Sequence, residues 1–451
     1  MFAHKNVKSR GEKNVFMGGY ALERSAYQKL VDWKNSYRRK PLILNGARQV
    51  GKTWLLKEFG QREYDNIAYI SCDNNPVIQG VFTDFDVRRL IRVFSALTNE
   101  QIKPEKTLII LDEVQEVQRA VTSLKYFSED APQYHIAVAG SLLGVTMHTG
   151  TGYPVGKVNE ITLFPMTFME FLKAMHQDLL IDQMKEHQWK ELCSMSSRFE
   201  DFLRQYYYTG GMPEAVACYI ETQNLLETRA IQKRILNDYN RDFSKHIPAS
   251  QVAKVRMVWN SIPSQLAKEN KKFIYSVLKK GGRAKEFEDA IQWLEDAGLI
   301  CRVNRVKKVA APLKFYEDFG AFKLFMLDLG LLGAMSDVQA KDILIENSIF
   351  SEYKGAFTEQ YAAQQMISTG EKLYYYSKEN STLEIDFLLQ KSELYPIEVK
   401  AEENVRAKSL RQVVDHNPGM TGWRFSMSGY VDQEWMVNIP LYFVEEWVSS
   451  H

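Results

Sequence analysis

The chain has 451 residues, 45% hydrophobic and 25% charged, with 57 Lys and Arg against 56 Asp and Glu; this is the makeup of a soluble protein of roughly two to four domains. A net charge of +1 excludes a global field that would draw the protein to nucleic acid or an anionic membrane, so any basic surface is local. Cys72, Cys193, Cys218 and Cys301 lie far apart with no metal-ligand spacing and read as reduced core thiols rather than a disulfide framework.

Residues 1–19 form a basic lead-in without the apolar core of a signal peptide. No run reaches the roughly 18 apolar residues that span a bilayer; the best one, Phe322 to Met335, is broken by Lys323 and Asp328. A cytoplasmic protein with no membrane partner is expected. Tyr20 to Ser36 reads as a helix with Leu22, Ala26, Leu30 and Trp33 on one side. Next come the apolar strand Leu42, Ile43, Leu44, the loop Gly46, Ala47, Arg48, Gln49, Val50, Gly51, and a helix opened by Lys52, Thr53 and Trp54. Strand, G-x-x-x-x-G-K-[ST] and helix make a phosphate-binding loop, because glycines let the backbone N–H groups curl inward toward phosphate oxygens at the helix's positive end. Lys52 then reaches the β and γ phosphates of ATP and Thr53 ligates Mg²⁺.

Thr107 to Leu111 is a continuous apolar run ending in Asp112 and Glu113, as suits a central parallel strand that delivers two carboxylates to the ligand edge of the sheet. Asp112 is expected to hold Mg²⁺ and Glu113 to act as general base on the attacking water. A further strand, His135 to Ala139, leads into Gly140 and Ser141. His148 in the following loop reads as surface.

These segments, GARQVGKT, LDE and AGS, together with Gly210, Gly211, Met212 and Pro213, resemble the AAA-superfamily ATPases of bacteria and archaea that carry a C-terminal nuclease-like domain of unknown function. The resemblance implies that Ser141 senses the γ-phosphate, that the Gly-Gly-x-Pro segment belongs to a helical lid over the nucleotide, and that Arg241, Arg48 or Arg119 serves as transition-state arginine. It leaves assembly into homo-oligomers open.

From Phe168 to Asn237 the pattern is helical, with the aromatic cluster Phe202, Tyr206, Tyr207, Tyr208 expected in the core. Pro263 to Lys308 carries more Lys and Arg than Asp and Glu in the order helix (264–270), helix (273–279), Gly-Gly turn, helix (284–297), strand (299–306), a winged-helix plan often used on DNA. Its third helix exposes Glu288, Asp289, Glu295 and Asp296, which repel phosphates, so only the edge Arg302, Arg305, Lys307, Lys308 is suited to a nucleic-acid backbone.

In the last third, Asp386, eleven residues and then Glu398-x-Lys400 match the D…(D/E)-x-K pattern of restriction-endonuclease-like folds. Strand alternation puts Glu398 and Lys400 on one face, where Asp386, Glu398 and Glu359 would hold a divalent metal and Lys400 would activate water. The expected architecture is α/β: a P-loop NTPase parallel sheet (20–165), a helical lid (166–260), a winged-helix connector (261–312) and a restriction-endonuclease-like domain (313–451). The expected function is a Mg²⁺-dependent ATPase whose nucleotide state controls a nuclease-like domain acting on or binding DNA or RNA. The alternative is an ATP-gated signalling or scaffold protein whose nuclease-like domain is inactive.

Overall fold

The computed structural model describes residues 22–140, 153–268, 271–344, 348–379, 381–401 and 407–451, with the side chains of 348–352 left out. Ser141 and His148 lie outside the described residues. The N-terminal sheet is wholly parallel, in the order β2-β3-β4-β1-β5, from β1 (Leu42–Asn45), β2 (Asn66–Ser71), β3 (Thr107–Asp112), β4 (His135–Ala139) and β5 (Asn159–Thr162). Crossover helices cover both faces, so β3 and β4 are buried at every position. Alternation divides their side chains: Leu42, Leu44, Leu108 and Ile110 join one core, and Ile43, Ile109, Leu111 and Val138 the other.

Helices follow from Phe168 to Leu266. The longest, Leu225–His246, opens on Asn224, whose side chain accepts from the N–H groups of Leu226 and Glu227. Tyr206, Tyr207 and Tyr208 are buried, as expected, with Tyr206 edge-on to Phe168, Phe171 and Tyr361. The helix expected at 264–270 is the end of a longer one, Ala249–Leu266, that passes through Pro263; its buried stripe from Val255 to Leu266 outweighs the proline. Only Tyr275–Leu278 is helical in the next segment, before the Ala284–Asp296 helix.

The strands that follow do not close a separate small domain. β6 (Ile300–Val306) pairs antiparallel with β7 (Glu317–Met326) and parallel with β8 (Leu373–Ser377), and one eight-stranded sheet runs β12-β13-β11-β10-β9-β8-β6-β7 across the 312/313 junction. Within it, the Ser348–Ser368 helix is followed by antiparallel β8, β9 (Glu384–Gln390) and β10 (Leu394–Val399), then the Lys408–Asp415 helix and β11 (Gly422–Ser426) parallel to β10. β13 (Met436–Pro440) extends this sheet and β12 (Val431–Asp432) closes its edge. One hydrophobic core runs from Leu42 in the parallel sheet through the helical layer to Trp447, so the two sheets share an interior.

Candidate functional site

The loop from Gly46 to Gly51 joins β1 to the Lys52–Glu63 helix. Gly46 has φ +145°, and a Cβ there would overlap the carbonyl oxygen of Leu163; only glycine lets the two backbones meet so closely. Carbonyls of the loop are held by two distant side chains and by Lys52 itself. Arg24 donates to the Val50 carbonyl at 2.9 Å, Tyr239 to that of Arg48 at 2.8 Å, and Lys52 Nζ to those of Gly46 and Ala47 at 2.8 and 2.7 Å. Arg24 is itself fixed by Glu170 at 3.0 Å.

Lys52 is 7% exposed. Burial pulls its ammonium down to about 8, an effect partly offset by the charges of Glu113 and Asp112. Thr53 Oγ1 donates to Asp112 Oδ2 at 2.7 Å, and Tyr69 donates to the same oxygen at 3.0 Å. A hydroxyl beside a carboxylate oxygen is a hard-oxygen pair that fits Mg²⁺. Glu113 sits in the left-handed region, φ 52°, a strained setting that costs on the order of 1–3 kcal/mol and recurs at functional sites. Its carboxylate accepts from Gln115 Nε2 at 2.5 Å.

A cavity of about 320 Å³ opens over this cradle, lined among others by Arg48, Gln49, Lys52, Thr53, Trp54 and Glu113. Pro213 and Glu214 form its far wall, which brings the Gly210–Pro213 segment to the phosphate loop. The wall is anchored at depth. Gly211 has no room for a Cβ against the Met166 carbonyl, and its N–H donates to Asp328 Oδ2 at 2.6 Å. Asp328 is fully buried and also accepts from Leu331 N–H and, at 3.4 Å, from Gln364 Nε2. Burial raises its carboxyl to about 6 against the lowering effect of these donors.

Of the three candidate arginines, Arg119 is spent on the carbonyls of Phe82 and Thr83. Arg241 is 80% exposed and held by Asp238 at 3.2 Å. Arg48 lines the cavity and pairs with Asp242 on the Leu225–His246 helix, which also takes Gln49 through Asp238 at 3.0 Å.

Residues 38–172 match the AAA domain family (AAA_14). The parallel sheet with its phosphate loop is an AAA-type P-loop ATPase domain. The AAA-type module is followed by two matches to domains of unknown function, DUF8612 over 200–342 and DUF4143 over 354–434. Among solved structures, the chain is similar to a Walker-type ATPase of Pyrococcus abyssi (13% identity, 70% of this chain and 96% of that one, TM-score 0.45). It is also similar to the ORC1 protein of Aeropyrum pernix in complex with DNA (12%, 69% and 90%, TM-score 0.30) and to the RuvB Holliday junction branch migration motor of Thermotoga maritima (14%, 62% and 90%, TM-score 0.25). No curated protein matches it.

The second candidate site lies on the eight-stranded sheet. Glu398 and Lys400 share a face and pair at 2.9 Å, and the charge of Asp386 is felt by both. Asp386 Oδ2, however, accepts from the Val399 N–H at 2.8 Å, and Glu359 is turned to two lysines that belong to no sequence motif. Lys271 Nζ is 2.5 Å from Glu359 Oε1, and Lys323 Nζ is 3.7 Å from Oε2 and 2.6 Å from Glu384 Oε1. Lys323 is fully buried, yet the charges of Glu359, Glu384 and Asp386 raise its ammonium above the usual lysine range, against the desolvation that would lower it. Among the described residues no group of three or more His, Cys, Asp or Glu side chains could hold a metal ion. The expected Glu359, Asp386, Glu398 metal cluster does not fit that arrangement, because Glu359 and Glu398 already pair with ammonium groups of this chain and Asp386 is turned to a backbone N–H.

The basic edge expected on β6 is likewise partly committed. Arg302 pairs with Glu288 at 2.6 Å and Glu295 at 2.8 Å, and Arg305 with Asp318 and Glu379. The acidic third helix therefore compensates this chain's own arginine.

Proposed function

We propose that the protein is a Mg²⁺-dependent ATPase that passes its nucleotide state through the helical lid to a C-terminal domain of restriction-endonuclease-like fold, which binds nucleic acid. The observation that carries this reading is the bond from Asp328 to Gly211: one wall of the nucleotide cavity hangs on a buried carboxylate of the C-terminal half. Gln364 joins Asp328 to the same helix that bears Glu359, so a shift of the wall reaches the second sheet without crossing a flexible linker.

Among the described residues Lys52 Nζ donates to two backbone carbonyls, which the β and γ phosphate oxygens of ATP replace. The ammonium then faces a full anionic charge rather than dipoles. Thr53 and Asp112 are the residues that would hold Mg²⁺, which spreads the developing phosphate charge. Glu113, oriented by Gln115, takes the proton of the attacking water. Arg48 is the arginine best placed to meet the γ-phosphate, since it already lines the cavity, and leaving Asp242 for the phosphate would tell the Leu225–His246 helix that ATP is bound.

The helix, three antiparallel strands, helix and parallel strand around β10 support the nuclease-like fold, and the three helices before the β6–β7 hairpin support a winged-helix origin for that segment. Neutralisation of the acidic cluster by Lys271 and Lys323 favours binding over cutting, and equally a scaffold reading. ATP turnover that is lost in Lys52→Ala, with oligonucleotide affinity that changes between ATP and ADP in the wild type, supports the switch. Oligonucleotide affinity indifferent to nucleotide would leave the ATPase but remove the coupling.

A further inference from the structure

The β6–β7 hairpin has a built irregularity. Asn304 faces Phe322 and Arg305 faces Asp318, so Phe319, Gly320 and Ala321 have no partner opposite them and bulge from the edge strand of the sheet. The bulge is pinned: Arg305 grips Asp318 Oδ2 at 2.5 Å, and Asp318 Oδ1 accepts from Gly320 N–H at 3.0 Å. Bulges re-aim side chains, and this one leaves Phe319 72% exposed, with Phe315 in the same hairpin 82% exposed. Singly exposed apolar residues are ordinary; what sets these two rings apart is that they stand four residues apart on one pinned hairpin.

Lysines surround them. Lys307, Lys308 and Lys314 are exposed in the hairpin, and the Lys307 N–H bonds to the Tyr316 carbonyl at 2.9 Å, which brings its two arms together beside Phe315. β8 runs parallel to β6 and delivers exposed Lys378 to the same end. The nearby acids are taken: Glu317 by Asn304 and Lys372, and Asp318 and Glu379 by Arg305. The positive charge of the four lysines is therefore uncompensated by these neighbours.

We propose that this bulged hairpin is a docking surface for single-stranded nucleic acid, with Phe315 and Phe319 stacking on unpaired bases and Lys307, Lys308, Lys314 and Lys378 holding phosphates. Stacking on aromatic rings beside a basic track is how strands are held without sequence choice. A duplex hides its base faces and is read in the grooves by hydrogen-bonding side chains, which these six residues lack apart from lysine. A second copy of the chain fits poorly, because a two-fold contact would bring the lysines against one another.

The inference rests on the nucleic-acid reading above, and one experiment separates the two. Fluorescence anisotropy of the full-length chain with a labelled oligo-dT of roughly 20 nucleotides, longer than one binding site, and with a duplex of equal length gives the affinities. The strand should bind more tightly than the duplex, and Phe319→Ala should weaken it about tenfold. Lys307→Ala with Lys308→Ala should flatten the plot of log K against log salt by about 1.4, near 0.7 for each phosphate no longer neutralised. All variants should hydrolyse ATP like the wild type. If the wild type binds nucleic acid but Phe315→Ala and Phe319→Ala bind the strand unchanged, the surface is wrong and the general reading stands. Wild-type protein that binds neither oligonucleotide removes both, and a change of mass by light scattering in the phenylalanine variants would assign the patch to self-association instead.

Discussion

The two candidate sites of this chain each bring lysines and carboxylates together, and they solve the problem of charge in opposite ways. At the phosphate loop Lys52 bonds to backbone carbonyls, while Asp112 is held by the hydroxyls of Thr53 and Tyr69; dipoles hold the charges in place without cancelling them. On the eight-stranded sheet Lys271, Lys323 and Lys400 face Glu359, Glu384 and Glu398 directly. A site held by dipoles has charge left for a ligand, whereas one closed by ion pairs must first lose an internal partner.

The largest expected effect breaks the first site. Glu113→Gln should slow ATP hydrolysis by about 10²–10⁴-fold, the range for a lost general base, with nucleotide affinity kept; steady-state turnover and equilibrium binding check the two halves. Lys52→Ala should cost about 10²–10³-fold in turnover and weaken ATP binding as well. At the second site Lys323→Met takes from Glu384 its ammonium partner and leaves Glu359 with Lys271 alone, and should destabilise the fold by up to about 3–5 kcal/mol in urea titration. Pairing it with Glu384→Gln should recover part of that loss. If Lys323→Met unfolds like the wild type, the lysine does not neutralise the cluster.

A smaller effect sharpens the contrast through pH. With Lys52 near 8, below the usual lysine value of about 10.4, the folded apo protein gives up this proton earlier than the unfolded chain does. ATP affinity should therefore fall from pH 7.5 to 9 as the ammonium is lost, while stability gains slightly from this group over the range between the two values. Nucleotide titrations at several pH values check the direction, and a flat profile would mean that Lys52 keeps its charge.

The phosphate loop was legible because its chemistry is local: glycines, lysine and threonine lie in eight consecutive residues and carry their own geometry. The carboxylates of Asp112 and Glu113 were legible from a buried strand and its polar end. Arg24 and Tyr239, which hold the loop, and Tyr69, which holds Asp112, were not, since each acts from far along the chain. Lys323 and Asp328 had left a trace as charges interrupting an apolar run, and the structure gives the reason: both are fully buried and meet partners contributed by other elements. The D…E-x-K spacing put Glu398 and Lys400 side by side, where they pair at 2.9 Å, but spacing is blind to Lys271, which arrives from the connector. The winged-helix pattern likewise showed the strand that becomes β6 but neither of its neighbours, β7 and β8, which arrive from beyond the segment.

Manganese titration followed by electron paramagnetic resonance, with and without ATP, tests the central contrast most directly. The account predicts one ordered Mn²⁺ per chain that appears only with ATP and is lost in Asp112→Asn. An ion bound without nucleotide and lost in Asp386→Asn or Glu398→Gln would contradict it.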